Sequence, residues 1–213
     1  MHLIHDGPRD AASRLVLAHG AGAGIDSPFM CEIAGLLAMR GIAITRLEFA
    51  YMAQRTGGGS RRPPPKVELL AEEYRAALDE IGSAAAPEQR IFIGGKSMGG
   101  RVASLAASDL FRKSAIRGLV CLGYPFHPPR RHGELRTAHL VRLDVPTLIV
   151  QGERDPFGTR AEVEVMSLSP MIGYHWALDG NHDLAPRRKS GHTADGNLAA
   201  AADAIVSFIS SSR

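Results

Sequence analysis

Short apolar runs alternate along this chain with longer stretches in which apolar residues recur every three or four positions. Leu15-Val16-Leu17-Ala18 is a continuous apolar run, as a strand buried on both faces requires. Further strands are predicted at Ile42 to Phe49, at a run ending in Ile91-Phe92-Ile93, at Gly118 to Gly123, at Thr147 to Gln151 and at Tyr174 to Ala177. Helices fill the gaps. Asp26-Ser27-Pro28 starts one with proline in its first turn, Met30, Ile33, Ala34, Leu37 and Ala38 keep helical spacing, and Gly41 ends it. Lys66 to Ile81 places Val67, Leu70, Ala71, Tyr74, Leu78 and Ile81 on one face. Val102 to Ala107 belongs to another helix, and Asp195 to Ser210 closes the chain as the last. Strands alternating with helices predict an α/β fold, with a mostly parallel sheet covered on both faces.

Residues 1–213 read as a single domain without a cap, because nothing between the strands is long enough to form one. Thr56-Gly57-Gly58-Gly59-Ser60-Arg61-Arg62-Pro63-Pro64-Pro65 breaks every periodicity and is expected to be a mobile loop. It reads as an excursion within the domain, since neither flank could build a core alone.

The chemistry concentrates at Gly94-Gly95-Lys96-Ser97-Met98-Gly99-Gly100, between a strand and a helix. Gly95-x-Ser97-x-Gly99 in that context is the pattern of a nucleophile elbow, where small residues let strand and helix pass closely and lift the serine hydroxyl out. A phosphate-binding loop would need glycine at position 90, where Arg90 stands. The loop His19-Gly20-Ala21-Gly22-Ala23-Gly24 follows the first strand. A dinucleotide fingerprint starting at Gly20 would need glycine at position 25, which is Ile25. The loop instead suits an oxyanion hole, made by the N–H groups of Ala21 and Met98, with Gly22 as the rival to Ala21. His19 is expected to buttress the loop rather than to move protons.

Loops at the carboxyl ends of parallel strands share one edge of the sheet. Ser97, Asp155 and His182 each follow a strand directly, in the order Ser, Asp, His. The expected roles are nucleophile for Ser97, general base for His182 and, for Asp155, the group that orients the imidazole. Of the nine histidines only His175, His182 and His192 follow Asp155. His175 lies within a strand and His192 in a polar loop. Asp179 is the rival to Asp155, and Asp183 adjoins the histidine too closely to reach its ring.

Composition adds limits. The chain has 45% apolar and 22% charged residues, as in a soluble globular protein. A net charge of +3 is too mild to imply nucleic acid. No signal peptide and no membrane-length apolar stretch are visible, so a cytoplasmic, membrane-free protein is expected. Cys31 and Cys121 lie in apolar segments and are expected to be buried free thiols. Arg61-Arg62, Arg130-Arg131 and Arg187-Arg188-Lys189 should all fall on the catalytic side of the sheet, where they could favour an anionic substrate. Arg61, Arg62, Tyr124 and His127 are the candidate substrate-binding residues.

Taken together, these stretches resemble one family. Its carriers are Ala18 to Gly22, Phe49-Ala50-Tyr51-Met52, Arg61-Arg62-Pro63-Pro64, Gly95 to Arg101, Gly123-Tyr124-Pro125-Phe126-His127-Pro128, Leu148 to Gly158 and Gly180-Asn181-His182-Asp183. They are similar to a small cap-less α/β-hydrolase-like family related to dienelactone hydrolases. That family also includes a testis-expressed mammalian protein and a subunit of a histone-acetylating complex. The resemblance covers nearly the whole chain. It implies an α/β-hydrolase fold with Ser97, Asp155 and His182 as a catalytic triad, and it implies no particular substrate. Dienelactone hydrolases proper use cysteine where Ser97 stands. The expectation is a serine hydrolase acting on an ester or related acyl bond of a small molecule, with no metal and no organic cofactor. A non-catalytic interaction domain of the same fold and an acyltransferase using the same residues are the alternatives.

Overall fold

A computed structural model of the chain describes residues 2–56 and 63–212. Among these residues seven strands form one sheet: β1 (His2–Asp6), β2 (Ser13–Ala18), β3 (Ala43–Glu48), β4 (Arg90–Lys96), β5 (Gly118–Leu122), β6 (Thr147–Gly152) and β7 (Ile172–Ala177). Among the described residues six α-helices accompany them: α1 (Pro28–Ala38), α2 (Ala50–Thr56), α3 (Val67–Ala84), α4 (Met98–Arg112), α5 (Arg160–Glu164) and α6 (Ala194–Ser211). The strand order is β1-β3-β2-β4-β5-β6-β7, and only β1 runs antiparallel to its neighbour.

The two-residue period of a strand sorts the core into two layers. Val16, Ala18, Ile93, Leu119, Cys121 and Ile149 face a layer that includes Leu70, Ala71 and Tyr74 of α3 and Val102, Ala103 and Ala106 of α4. Leu15, Leu17, Phe92, Val120, Leu122, Leu148 and Val150 face the opposite layer, with Met30, Ile33 and Leu37 of α1 and Leu198, Ala201 and Ile205 of α6. Each apolar run is therefore continuous because both of its faces are covered. The expected parallel α/β sheet is present.

Three elements do not follow from apolar periodicity. Strand β1 carries His2, His5 and Asp6, and its place at the edge is set by Arg46 on β3. The Arg46 guanidinium meets the Asp6 carboxylate with two bonds, Nε to Oδ2 at 2.8 Å and Nη2 to Oδ1 at 3.0 Å. Helices α2 and α5 are only seven and five residues long, too short for a helical repeat to register. Cys121 is buried as expected, whereas Cys31 is exposed. It lies in the first turn of α1 at the rim of the core, where its Sγ accepts from Arg46 Nη1 of β3 at 3.2 Å while the residue stays exposed.

The chain leaves β2 toward β3 on one side and reaches β4 on the other, so β2 and β4 are neighbours at the switch point where a crevice forms. Ala18 pairs with Gly95 in register, which sets the loop after β2 beside the turn after β4. Backbones are in contact here. A Cβ on Gly95 would sit 2.5 Å from the Ala18 carbonyl oxygen and 2.6 Å from the Gly99 carbonyl carbon. Gly95→Ala should therefore lower unfolding free energy by about 1–3 kcal/mol or prevent folding, as overpacking does. Gly35, in the middle of α1, has nothing within 4 Å of its missing Cβ. Gly35→Ala should raise stability by about 0.5–1 kcal/mol. Urea denaturation of the two variants checks both signs.

Candidate active site

A single residue separates β4 from α4. Ser97 holds φ 52° and ψ −114°, left-handed backbone that a side chain disfavours, and strain of about 1–3 kcal/mol is typical of such positions. The turn aims the hydroxyl at His182. Ser97 Oγ lies 2.9 Å from His182 Nε2, and His182 Nδ1 lies 2.8 Å from Asp155 Oδ2. A carboxylate only accepts, so Nδ1 carries the proton and Nε2 presents its lone pair to the serine O–H.

The three residues come from three strand ends. Asp155 follows β6 and is fully buried, with its charge met by donors. Gln151 Nε2 donates to Oδ2 at 2.9 Å, and the Phe157 N–H donates to Oδ1 at 2.9 Å. His182 follows β7, and the Phe157 ring packs on its imidazole at 4.4 Å between centroids. The loop carrying His182 is tied to the elbow by Lys96. Its Nζ donates to the His182 carbonyl at 2.7 Å and meets Asp183 Oδ1 at 3.1 Å. Burial pushes the Lys96 ammonium below the usual lysine range, against the pull of Asp183 and Asp155. Sequence reasoning did not find this role for Lys96. Gly95-Lys96-Ser97 suggests the ending of a phosphate-binding loop, a reading that Arg90 excludes, and it assigns Lys96 no other role.

The rival residues are engaged elsewhere. Asp179 binds Arg187 and Arg154, and its contacts with Arg187 bring its carboxyl down to about 2. His175 sits on β7 and His192 is exposed. Asp183 is taken by Lys96.

The loop after β2 is fixed from behind by His19, which is completely buried. Its Nδ1–H donates to the Gly20 carbonyl at 2.6 Å, and its Nε2 accepts the Phe49 N–H at 3.1 Å. Burial lowers its pKa, so the ring serves this loop in its neutral form. Because the peptide is planar and trans, the Ala21 N–H points away from the His19 ring. The Tyr51 hydroxyl pins the next peptide by donating to the Ala21 carbonyl at 3.2 Å. Met98 is the first residue of α4, so its N–H has no partner within the helix. Ala21 and Gly22 both line the cleft with Ser97. That cleft is about 620 Å³, and Phe29, Met30, Phe157 and Leu198 supply its apolar wall.

The expected substrate-binding residues are not assembled there. The Tyr124 ring is fully buried, and its hydroxyl donates to the Arg136 carbonyl at 2.9 Å. The His127 side chain is likewise buried. Both follow β5 on the correct edge, but their side chains turn inward and are absent from the cleft wall. Arg61 and Arg62 lie outside the described residues. Two of the remaining rim cations are paired with carboxylates, Arg131 with Glu134 at 3.0 Å and Arg187 with Asp179.

Residues 11–210 match the family described as alpha/beta hydrolase domain. The fold is shared with a dienelactone hydrolase from Anabaena variabilis, at 21% identity over 99% of this chain and 91% of that one, with a TM-score of 0.74. Est1E from Butyrivibrio proteoclasticus, solved with ferulic acid bound, is 15% identical over 98% of this chain and 95% of its own, with a TM-score of 0.71. A serine hydrolase without lid from Xanthomonas campestris is 17% identical over 98% and 87%, with a TM-score of 0.70. At these identities the likeness is one of fold. No helix among the described residues is long and apolar enough to cross a membrane.

Lys96→Met removes the donor to the His182 carbonyl and should lower stability by about 1–3 kcal/mol. Asp183→Asn, whose side chain is exposed, should change it by less than about 1 kcal/mol. Chemical denaturation monitored by circular dichroism distinguishes the two.

Proposed function

The chain belongs to the alpha/beta hydrolase domain family over residues 11–210, and from that premise we propose that it is a serine hydrolase acting through an acyl-enzyme on Ser97. The observation that supports this most is the hydrogen-bonded row from Ser97 through His182 to the buried Asp155, set on a strained elbow. The Ser97 oxygen attacks the substrate carbonyl as its proton passes to His182 Nε2. Asp155 stabilises the imidazolium from the Nδ1 side. The developing oxyanion is met by the N–H groups of Met98 and Ala21, at a helix N-terminus that favours negative charge. His182 then returns the proton to the leaving group, and the bond from the carbonyl carbon to that group breaks. Water, deprotonated by the same ring, releases the acid and restores Ser97.

The substrate class we propose is an ester of a carboxylic acid with an apolar or aromatic acyl part. Phe29, Met30, Phe157 and Leu198 give the cleft a wall suited to that part. Esterase-like and dienelactone-hydrolase-like chemistry both fit this description, and the fold neighbours include a dienelactone hydrolase and a protein with ferulic acid bound. With Arg131 and Arg187 paired to carboxylates, neutral esters should be accepted as well as anionic ones.

A fluorophosphonate probe should label the wild-type protein and not Ser97→Ala. Labelling of both proteins, or of neither, would overturn the assignment of the nucleophile. Toward a short activated ester, His182→Ala should lose roughly 10⁴-fold or more in kcat and Asp155→Asn roughly 10⁴-fold. Asp179→Asn should stay within about tenfold, since it reaches the reaction only through Arg154 and Arg187.

A further inference from the structure

His127, buried and expected at the substrate site, sits instead in a separate cluster with His132 and Glu162. One donor atom from each lies within 4.8 Å of the other two. His127 Nδ1 is 2.9 Å from the Pro128 carbonyl, which can only accept, so Nδ1 carries the proton. The lone pair is therefore on Nε2. That atom is buried without a hydrogen-bond partner, and it faces Glu162 Oε2 at 3.6 Å. Two electron-rich atoms thus face each other, and one of them belongs to a side chain only 1% exposed. His132 Nδ1 completes the group, donating to Glu162 Oε1 at 2.6 Å; the tautomer with its proton on the exposed Nε2 frees Nδ1 as a ligand.

We propose that His127 Nε2, His132 Nδ1 and Glu162 bind one divalent transition-metal ion, with zinc as the favoured metal. Two imidazole nitrogens and one carboxylate are a donor set suited to zinc and poorly suited to calcium or magnesium. Donors about 2.0–2.1 Å from a tetrahedral zinc lie about 3.4 Å from one another. Bringing the three donors to that spacing needs a shift of about 1 Å, which the His132 side chain, 65% exposed, can supply by giving up its bond to Glu162 Oε1. The outer contacts are already in place. The Pro128 carbonyl orients the His127 ring, as a backbone acceptor does for a ligating histidine. The Thr159 N–H and hydroxyl donate to Glu162 Oε2 at 2.8 and 2.7 Å. The ion's role is structural. The His127 N–H donates to the Phe157 carbonyl at 3.1 Å, and the Phe157 ring packs on His182. Binding would fasten the loop after β5 to the segment that carries Asp155 and α5.

The test uses the full chain, stripped with chelator and dialysed, and needs no activity. Zinc(II) titrated by calorimetry should bind saturably at one ion per chain and raise the melting temperature. His132→Ala leaves the fold intact because its side chain is exposed, and it should weaken binding at least about tenfold and abolish the melting shift. Glu162→Gln should weaken binding likewise, with folding checked by circular dichroism. Cobalt(II) in place of zinc should give visible absorption in the wild type that His132→Ala loses. No saturable binding, or the same isotherm for wild type and His132→Ala, overturns the proposal.

Discussion

The closeness of three backbones at the switch point governs this structure. Gly95 at the end of β4, Gly99 in the first turn of α4 and the Ala18–His19 segment after β2 leave no room for a Cβ between them. A side chain at either glycine would push α4 away from the sheet, and the turn between them would open. The tightness of that turn forces Ser97 to φ 52° and lifts its hydroxyl clear. The same contact brings the loop after β2 beside the helix N-terminus. The proposed nucleophile and the N–H groups proposed to stabilise an oxyanion are thus placed by one packing constraint.

The histidine needs a separate anchor, because a loop after an edge strand has few neighbours of its own. Gly152 supplies part of it. A Cβ there would meet the Gly180 carbonyl oxygen at 2.5 Å, so the strand carrying Asp155 and the loop carrying His182 run in contact. The Arg154 N–H donates to that Gly180 carbonyl at 2.9 Å, and Asn197 Nδ2 on α6 donates to the Leu184 carbonyl at 2.7 Å. Lys96 closes the arrangement from the elbow side. A hydrogen-bonded row of three side chains is only as well placed as the backbones beneath it; here those carrying Asp155 and His182 touch, and the Lys96 side chain ties the elbow to the His182 loop.

Much of this was legible in the sequence, for identifiable reasons. Buried parallel strands are apolar on both faces, so β2, β4, β5 and β6 stand out as runs. The elbow is visible because close approach demands glycine. Residues directly after strands were predicted to share an edge, and Ser97, Asp155 and His182 do meet there. Other features depend on partners far away in the chain. Strand β1 is fixed by Arg46 and Asp6, forty positions apart. Whether Tyr124 and His127 face the cleft or the interior depends on side-chain direction at the end of β5, which no spacing encodes. Even locally, sequence does not say which cation is paired: Arg131 meets Glu134 and Arg187 meets Asp179 in the folded chain. The buried, unpartnered nitrogen of His127 is likewise a property of the packed state.

The physical features around Ser97 also bear on whether this fold serves only as a scaffold. Left-handed backbone at a serine costs about 1–3 kcal/mol relative to a relaxed turn. A fully buried carboxylate needs dedicated donors, and Asp155 has Gln151, the Phe157 N–H and His182. A nearly buried ammonium beside it carries a desolvation penalty that Asp183 and Asp155 offset only in part. A domain acting through its surface has no use for a strained serine aligned through one imidazole with a buried carboxylate. Strain and buried charge converge on one half-buried hydroxyl that lines the cleft. That convergence favours selection for chemistry at Ser97 over selection for the fold alone.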